Sequence, residues 1–78
     1  MIKREVKLVI TFRTTTEAMA MESCCKAEGA PGRLIPVPAS ISAGCGMAWS
    51  AKPECKELLL ELMERNHITP QAMQECIV

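Results

Sequence analysis

Between Phe12 and Arg33 the chain carries a helix with both ends marked, and strand patterns stand on either side of it. Thr14 and Glu17 form a Thr-x-x-Glu capping box, which satisfies amide donors that the first turn leaves without partners. Ala18, Met21 and Cys25 then recur at three- and four-residue spacing, with Glu22 and Lys26 turned outward. Gly29 suits the left-handed residue that closes a helix, and Pro31 just beyond prevents its continuation. Ahead of this helix, Val6 to Phe12 is β-branched and apolar, the pattern of a central strand. Behind it, Arg33 to Val37 reads as a second strand, and Pro36 assigns it to a sheet edge. A strand, a helix and a strand in this order constrain the fold more than any other feature of the chain.

The second half repeats the alternation. A third strand is expected over about Met47 to Ala51, and Pro53 opens a second helix at its first position. Leu58, Leu59, Leu62 and Cys55 form the expected buried stripe of that helix, with Glu54, Lys56, Glu57, Glu61 and Glu64 facing water. The helix should end near Asn66, and Met73 to Val78 makes a short last strand. The order β-α-β-β-α-β predicts an α+β, ferredoxin-like single domain over residues 1–78. Right-handed crossovers put both helices on one face of a four-stranded antiparallel sheet, in the order 4-1-3-2. Val9, Phe12, Met21, Cys25, Leu34, Leu58, Leu59 and Leu62 are the expected core. The methionines Met21, Met47 and Met63 read as packing residues.

Charge and aromatic content exclude several roles. Nine basic residues balance nine acidic ones, and Phe12 and Trp49 are the only aromatics. That is neither the electrostatic footprint nor the stacking platform of a nucleic-acid binder. No apolar run approaches the roughly 20 residues of a membrane-spanning helix. The first residues lead into the strand pattern without a signal-peptide pattern, so a cytoplasmic location is expected.

Five cysteines without a secretory signal argue against a disulfide framework. There is no Cys-x-x-Cys pair, and the single histidine, His67, is not spaced with a cysteine as in a zinc finger. No metal site and no cofactor of the protein's own is expected. Cys24, Cys25 and Cys55 read as small apolar fillers, since free cysteine is among the most buried residue types. Cys76 carries no assigned role.

Cys45 differs from the other four. It stands between Gly44 and Gly46 at the end of a loop bearing prolines and two serines, Ser40 and Ser42. Flanking glycines open backbone angles closed to other residues and clear bulk from around the sulfur. Consecutive loop amides can cradle an anion, and the reactive form of a thiol is the thiolate. The plain alternative is a tight turn in which the cysteine fills space. In the predicted topology this loop, Arg13, the helix start at Thr14–Thr16 and the second helix's end at Asn66 and His67 gather at one rim. Arg33 is a candidate source of positive charge near the loop, with a solvated strand arginine as the alternative. His67 is most simply a helix-end residue.

The run Ile10-Thr11-Phe12, the helix through Ala18 and Glu22, Gly29-Ala30-Pro31-Gly32-Arg33-Leu34-Ile35-Pro36 and Ser42-Ala43-Gly44-Cys45-Gly46 resemble the small bacterial selenium/sulfur carrier-like proteins. The resemblance covers nearly the whole chain, and the Pro-Gly-Arg-Leu-Ile-Pro run with the downstream Ser-x-x-Cys-Gly element is its specific part. It implies a thiol, Cys45, that carries a sulfane sulfur or selenium atom between a donor such as a cysteine desulfurase or selenium-metabolism protein and an acceptor. That is the work of a carrier more than of a stand-alone enzyme. The chain departs from its relatives where Cys24 and Cys25 replace leucines and where His67 replaces a common glycine. Two other classes stay open at this level: a binding or regulatory module with a structural cysteine loop, and a metal chaperone. Metal content after purification would separate the second from a carrier, and alkylation of Cys45 the first. Homo-oligomers are compatible with all three.

Overall fold

The computed structural model describes residues 5–37 and 46–77. Strand β1 (Val6–Thr11), helix α1 (Thr15–Glu28), strands β2 (Arg33–Pro36) and β3 (Met47–Ala51), helix α2 (Lys56–Arg65) and strand β4 (Ala72–Ile77) follow in order. The sheet is antiparallel throughout, in the order β2-β3-β1-β4, which is the ferredoxin-like order 4-1-3-2 read from the other edge. Pro36 lies in an edge strand, as its missing amide requires.

Both helices cover one face of the sheet. Leu8, Ile10, Phe12, Trp49 and Ala51 pack there against Ala18, Met21 and Cys25 of α1 and against Leu59, Leu62 and Met63 of α2. Leu34, Met47 and Met73 seal the margin of this cluster. Two expected core members are corrected. Val9 is buried, but it alternates with Leu8 and Ile10 and faces away from the helices. Leu58 is 47% exposed, and Met63 occupies the buried stripe instead. Pro53–Cys55 forms a 3₁₀ turn, and the α-helix starts only at Lys56. On the helix that follows, Leu59, Leu62 and Met63 share a face that Leu58 flanks, about 100° per residue away. Glu22, expected outside, is half-buried, as is Cys55.

The two helices end in the same way. The amides of Gly29 and Ala30 donate to the carbonyls of Lys26 and Cys25, and those of His67 and Ile68 to Glu64 and Met63. Each is a Schellman closure, with one residue in the left-handed region. In α1 that residue is Gly29, at φ 70°, and in α2 it is His67, at φ 56°. Buried Ile68 adds the apolar contact that accompanies such closures, within the same cluster as Met63.

Between α1 and β2 the backbone closes tightly on the sheet. Gly32 has φ 115°, and a Cβ placed on it would lie 2.4 Å from Trp49 Nε1 and 2.6 Å from the Ser50 carbonyl oxygen. The Trp49 indole N–H donates to the Pro31 carbonyl at 3.3 Å. The glycine lets the connection lie flat on the indole, and the indole in turn satisfies its buried polar atom.

Candidate functional site

The strand registers bring several segment ends to one edge of the sheet. Thr11 ends β1 opposite Ala48 and Ala72, and its carbonyl accepts from the Gln71 amide at 2.7 Å. At the same edge Val37 donates its amide to the Gly46 carbonyl at 2.9 Å, which clasps the two ends of the cysteine loop. Helix α1 starts from this edge too. The Thr14 hydroxyl accepts from the Glu17 amide and donates to the Glu17 carboxylate, each at 3.2 Å, so the capping residues expected from sequence are in place. Arg13, Thr14 and Thr16 are exposed beside it. Gly46 is exposed at φ 77°, with open space where a side chain would begin. Ser40, Ser42, Gly44 and Cys45 lie outside the described residues.

The other two site candidates stand apart from this edge. Arg33 begins β2, opposite Ser50, at the end of the strand remote from the loop. Its Cα is four residues, roughly 13 Å of strand, from that of Val37. His67 lies in the turn that closes α2. Asn66, the residue before it, donates to Glu28 at 2.9 Å, and Arg65 forms an ion pair with the same carboxylate. Glu28 ends α1, about 20 Å along the helix from Thr14. The turn carrying His67 is thus tied to the closing end of α1, not to its start. The Asn66 hydrogen bond, followed by the charge of Arg65, holds the Glu28 carboxyl below its ordinary range.

The remaining cysteines have packing environments. Cys25 is buried in the core, and burial, reinforced by Cys24 and Glu28, pushes its thiol up to about 11. A thiol held neutral under a helix is a poor nucleophile. Cys24, Cys55 and Cys76 are half-buried and unbridged. Among the described residues, no group of three His, Cys, Asp or Glu side chains is placed to hold a metal ion. No described helix is long and apolar enough to cross a membrane.

No motif in the chain marks Ser50, Lys52 or Glu54. They line a concavity with Arg33 on the helix-free face, assembled from segments distant in the chain.

A small α+β domain with a clasped, glycine-flanked cysteine loop at the end of its sheet is the class these features define. The model of the family described as "Putative Se/S carrier protein-like" matches residues 7–75, and the chain belongs to that family. No curated protein and no solved structure matches it.

Proposed function

We propose that the protein accepts a sulfane sulfur or selenium atom on Cys45 and hands it to a partner. Membership of the Se/S carrier-like family, over a span that contains Cys45, is the observation that carries this reading. The other thiols support it by contrast, since Cys25 is buried and neutral and the remaining three are half-buried. Cys45 has glycine on both sides, and its loop springs from the edge where α1 begins. A helix N-terminus favours an anion, though only within about its first turn.

The transfer is thiol exchange. The Cys45 thiolate attacks the outer sulfur of a donor persulfide, such as that formed on a cysteine desulfurase. A new S–S bond forms as the donor's own S–S bond breaks, and the donor sulfur leaves as a thiolate with the electron pair. The sulfane sulfur keeps its oxidation state, so no electron carrier is required. The same displacement by an acceptor nucleophile unloads Cys45, and a selenium atom follows the same course. Rates depend on thiolate fraction and access.

Incubation with a cysteine desulfurase and cysteine, followed by intact-mass measurement and peptide mapping, tests this. The expected result is the mass of one added sulfur atom on the peptide containing Cys45, and none on a folded Cys45→Ser variant. Loading on another cysteine, or wild-type loading of the serine variant, would sink the proposal. Repeating the experiment with a selenium donor separates the two cargoes.

A further inference from the structure

We propose that the concavity on the helix-free face of the sheet binds a small oxyanion, a carboxylate or a phosphate, held by Arg33 and Lys52 over the Ser50 hydroxyl. The concavity has a volume of about 720 Å³, within the range of small-molecule sites. It lies at the start of β1, the start of β2 and the end of β3. Ser50 is four residues, roughly 13 Å, down β3 from Gly46, so this site is separate from the cysteine loop.

Three observations point to an anion. First, Ser50 lines the concavity although it is only 8% exposed, and its hydroxyl makes no hydrogen bond to another described residue. Strand alternation aims it to the same side as Arg33 and Val9, its partners in register. No buried side-chain oxygen among the described residues lacks a partner, so this hydroxyl is open to the concavity, where a ligand oxygen can reach it.

Second, the charges around it do not cancel. Lys7 is paired with Glu5 at 3.1 Å. Arg33 and Lys52 have no ion pair with a described residue, and Glu54 is the one unpaired carboxylate among the lining residues. Two unpaired cations against one unpaired anion leave an excess positive charge beside the free hydroxyl.

Third, the chemistry of the donors is matched. A guanidinium presents a planar fork that fits two oxygens of a carboxylate or phosphate, while a lysine ammonium adds a point charge. With the serine hydroxyl the site offers three donor groups to one oxyanion.

The test is an amide-resolved NMR titration of the intact protein with inorganic phosphate and, separately, with acetate, each against sodium chloride at matched ionic strength. Saturable shifts centred on Arg33, Ser50 and Lys52, absent in chloride, are expected with at least one anion. The anion that binds more tightly identifies phosphate or carboxylate as the group recognised. The double variant Arg33→Gln, Lys52→Gln should weaken binding at least about tenfold, a loss of roughly 1.4 kcal/mol. Ser50→Ala, which removes only the hydroxyl, should weaken it several-fold while keeping a dispersed spectrum. No saturable shift with either anion, shifts that chloride reproduces, shifts centred on Thr15–Glu17, or unchanged affinity in the double variant would each overturn the proposal.

Discussion

At the residue scale, two positions with positive φ illustrate opposite solutions. Gly32 has no alternative: its φ is 115°, and any Cβ would collide with Trp49 and with the Ser50 carbonyl. Gly32→Ala should therefore destabilise the protein by at least about 2 kcal/mol, from backbone strain and overpacking together. Chemical denaturation would measure it, and a loss below about 0.5 kcal/mol would mean that the connection shifts at little cost. His67 shows the reverse case. It holds the left-handed position of the α2 closure that glycine fills in α1, with its side chain exposed. His67→Gly should raise stability by about 1 kcal/mol, since a non-glycine residue is strained there. A stability loss would show that the imidazole makes a contact worth more than the strain. The sequence marks one of these features and hides the other. A lone histidine after Asn66 is legible as a helix end, whereas the contact between Gly32 and Trp49 joins residues that only the folded sheet brings together.

At the element scale, local signals read well and phases read less well. The capping box at Thr14 and Glu17, the closure at Gly29, the edge strand with Pro36 and the bounds of β3 all follow from chemistry within a few residues. The core-facing side of α2 does not, because Leu58 and Met63 both have the spacing to join Leu59 and Leu62, and only the packing of the helix on the sheet leaves Leu58 at the margin. Val9 is a different case: Val6, Leu8 and Ile10 form the apolar side of β1, and Val9 stands on the other side between Lys7 and Thr11, buried although it faces away from the helices. The assignment of α2 has a paired test. Leu62→Ala should cost about 2–5 kcal/mol, as expected for a leucine buried to the last few per cent. Leu58→Ala should change stability by less than about 1 kcal/mol, because half of that side chain is already in water. Equal losses in the two denaturation midpoints would contradict the observed phase of the helix.

At the scale of the whole molecule, the fold separates one thiol from the others. Cys25 is enclosed between α1 and the sheet, and the folded protein keeps it protonated to about pH 11 against an ordinary value of 9.0. The candidate carrier residue, by contrast, is the single cysteine flanked by two glycines. How far the cysteine site was legible follows from this division: the glycines mark Cys45, but the burial that disarms Cys25 emerges only from packing. The division has a thermodynamic consequence. Below pH 9 the Cys25 thiol is neutral in the folded and the unfolded chain alike, and its contribution to stability is complete. Between about 9 and 11 the unfolded chain gives up this proton while the folded one retains it, so stability falls as pH rises. The loss is at most about 2–3 kcal/mol, because each unit of separation is worth about 1.4 kcal/mol. Lysines and other groups titrate in the same range, so the comparison must be with a Cys25→Ala variant that lacks only this proton. The wild-type advantage over that variant, measured by denaturant unfolding in reducing buffer, should shrink steadily from pH 9 to 11. An advantage that stays constant across the window would mean that Cys25 is not held neutral by the fold, and that its burial does not explain why it is spared for Cys45.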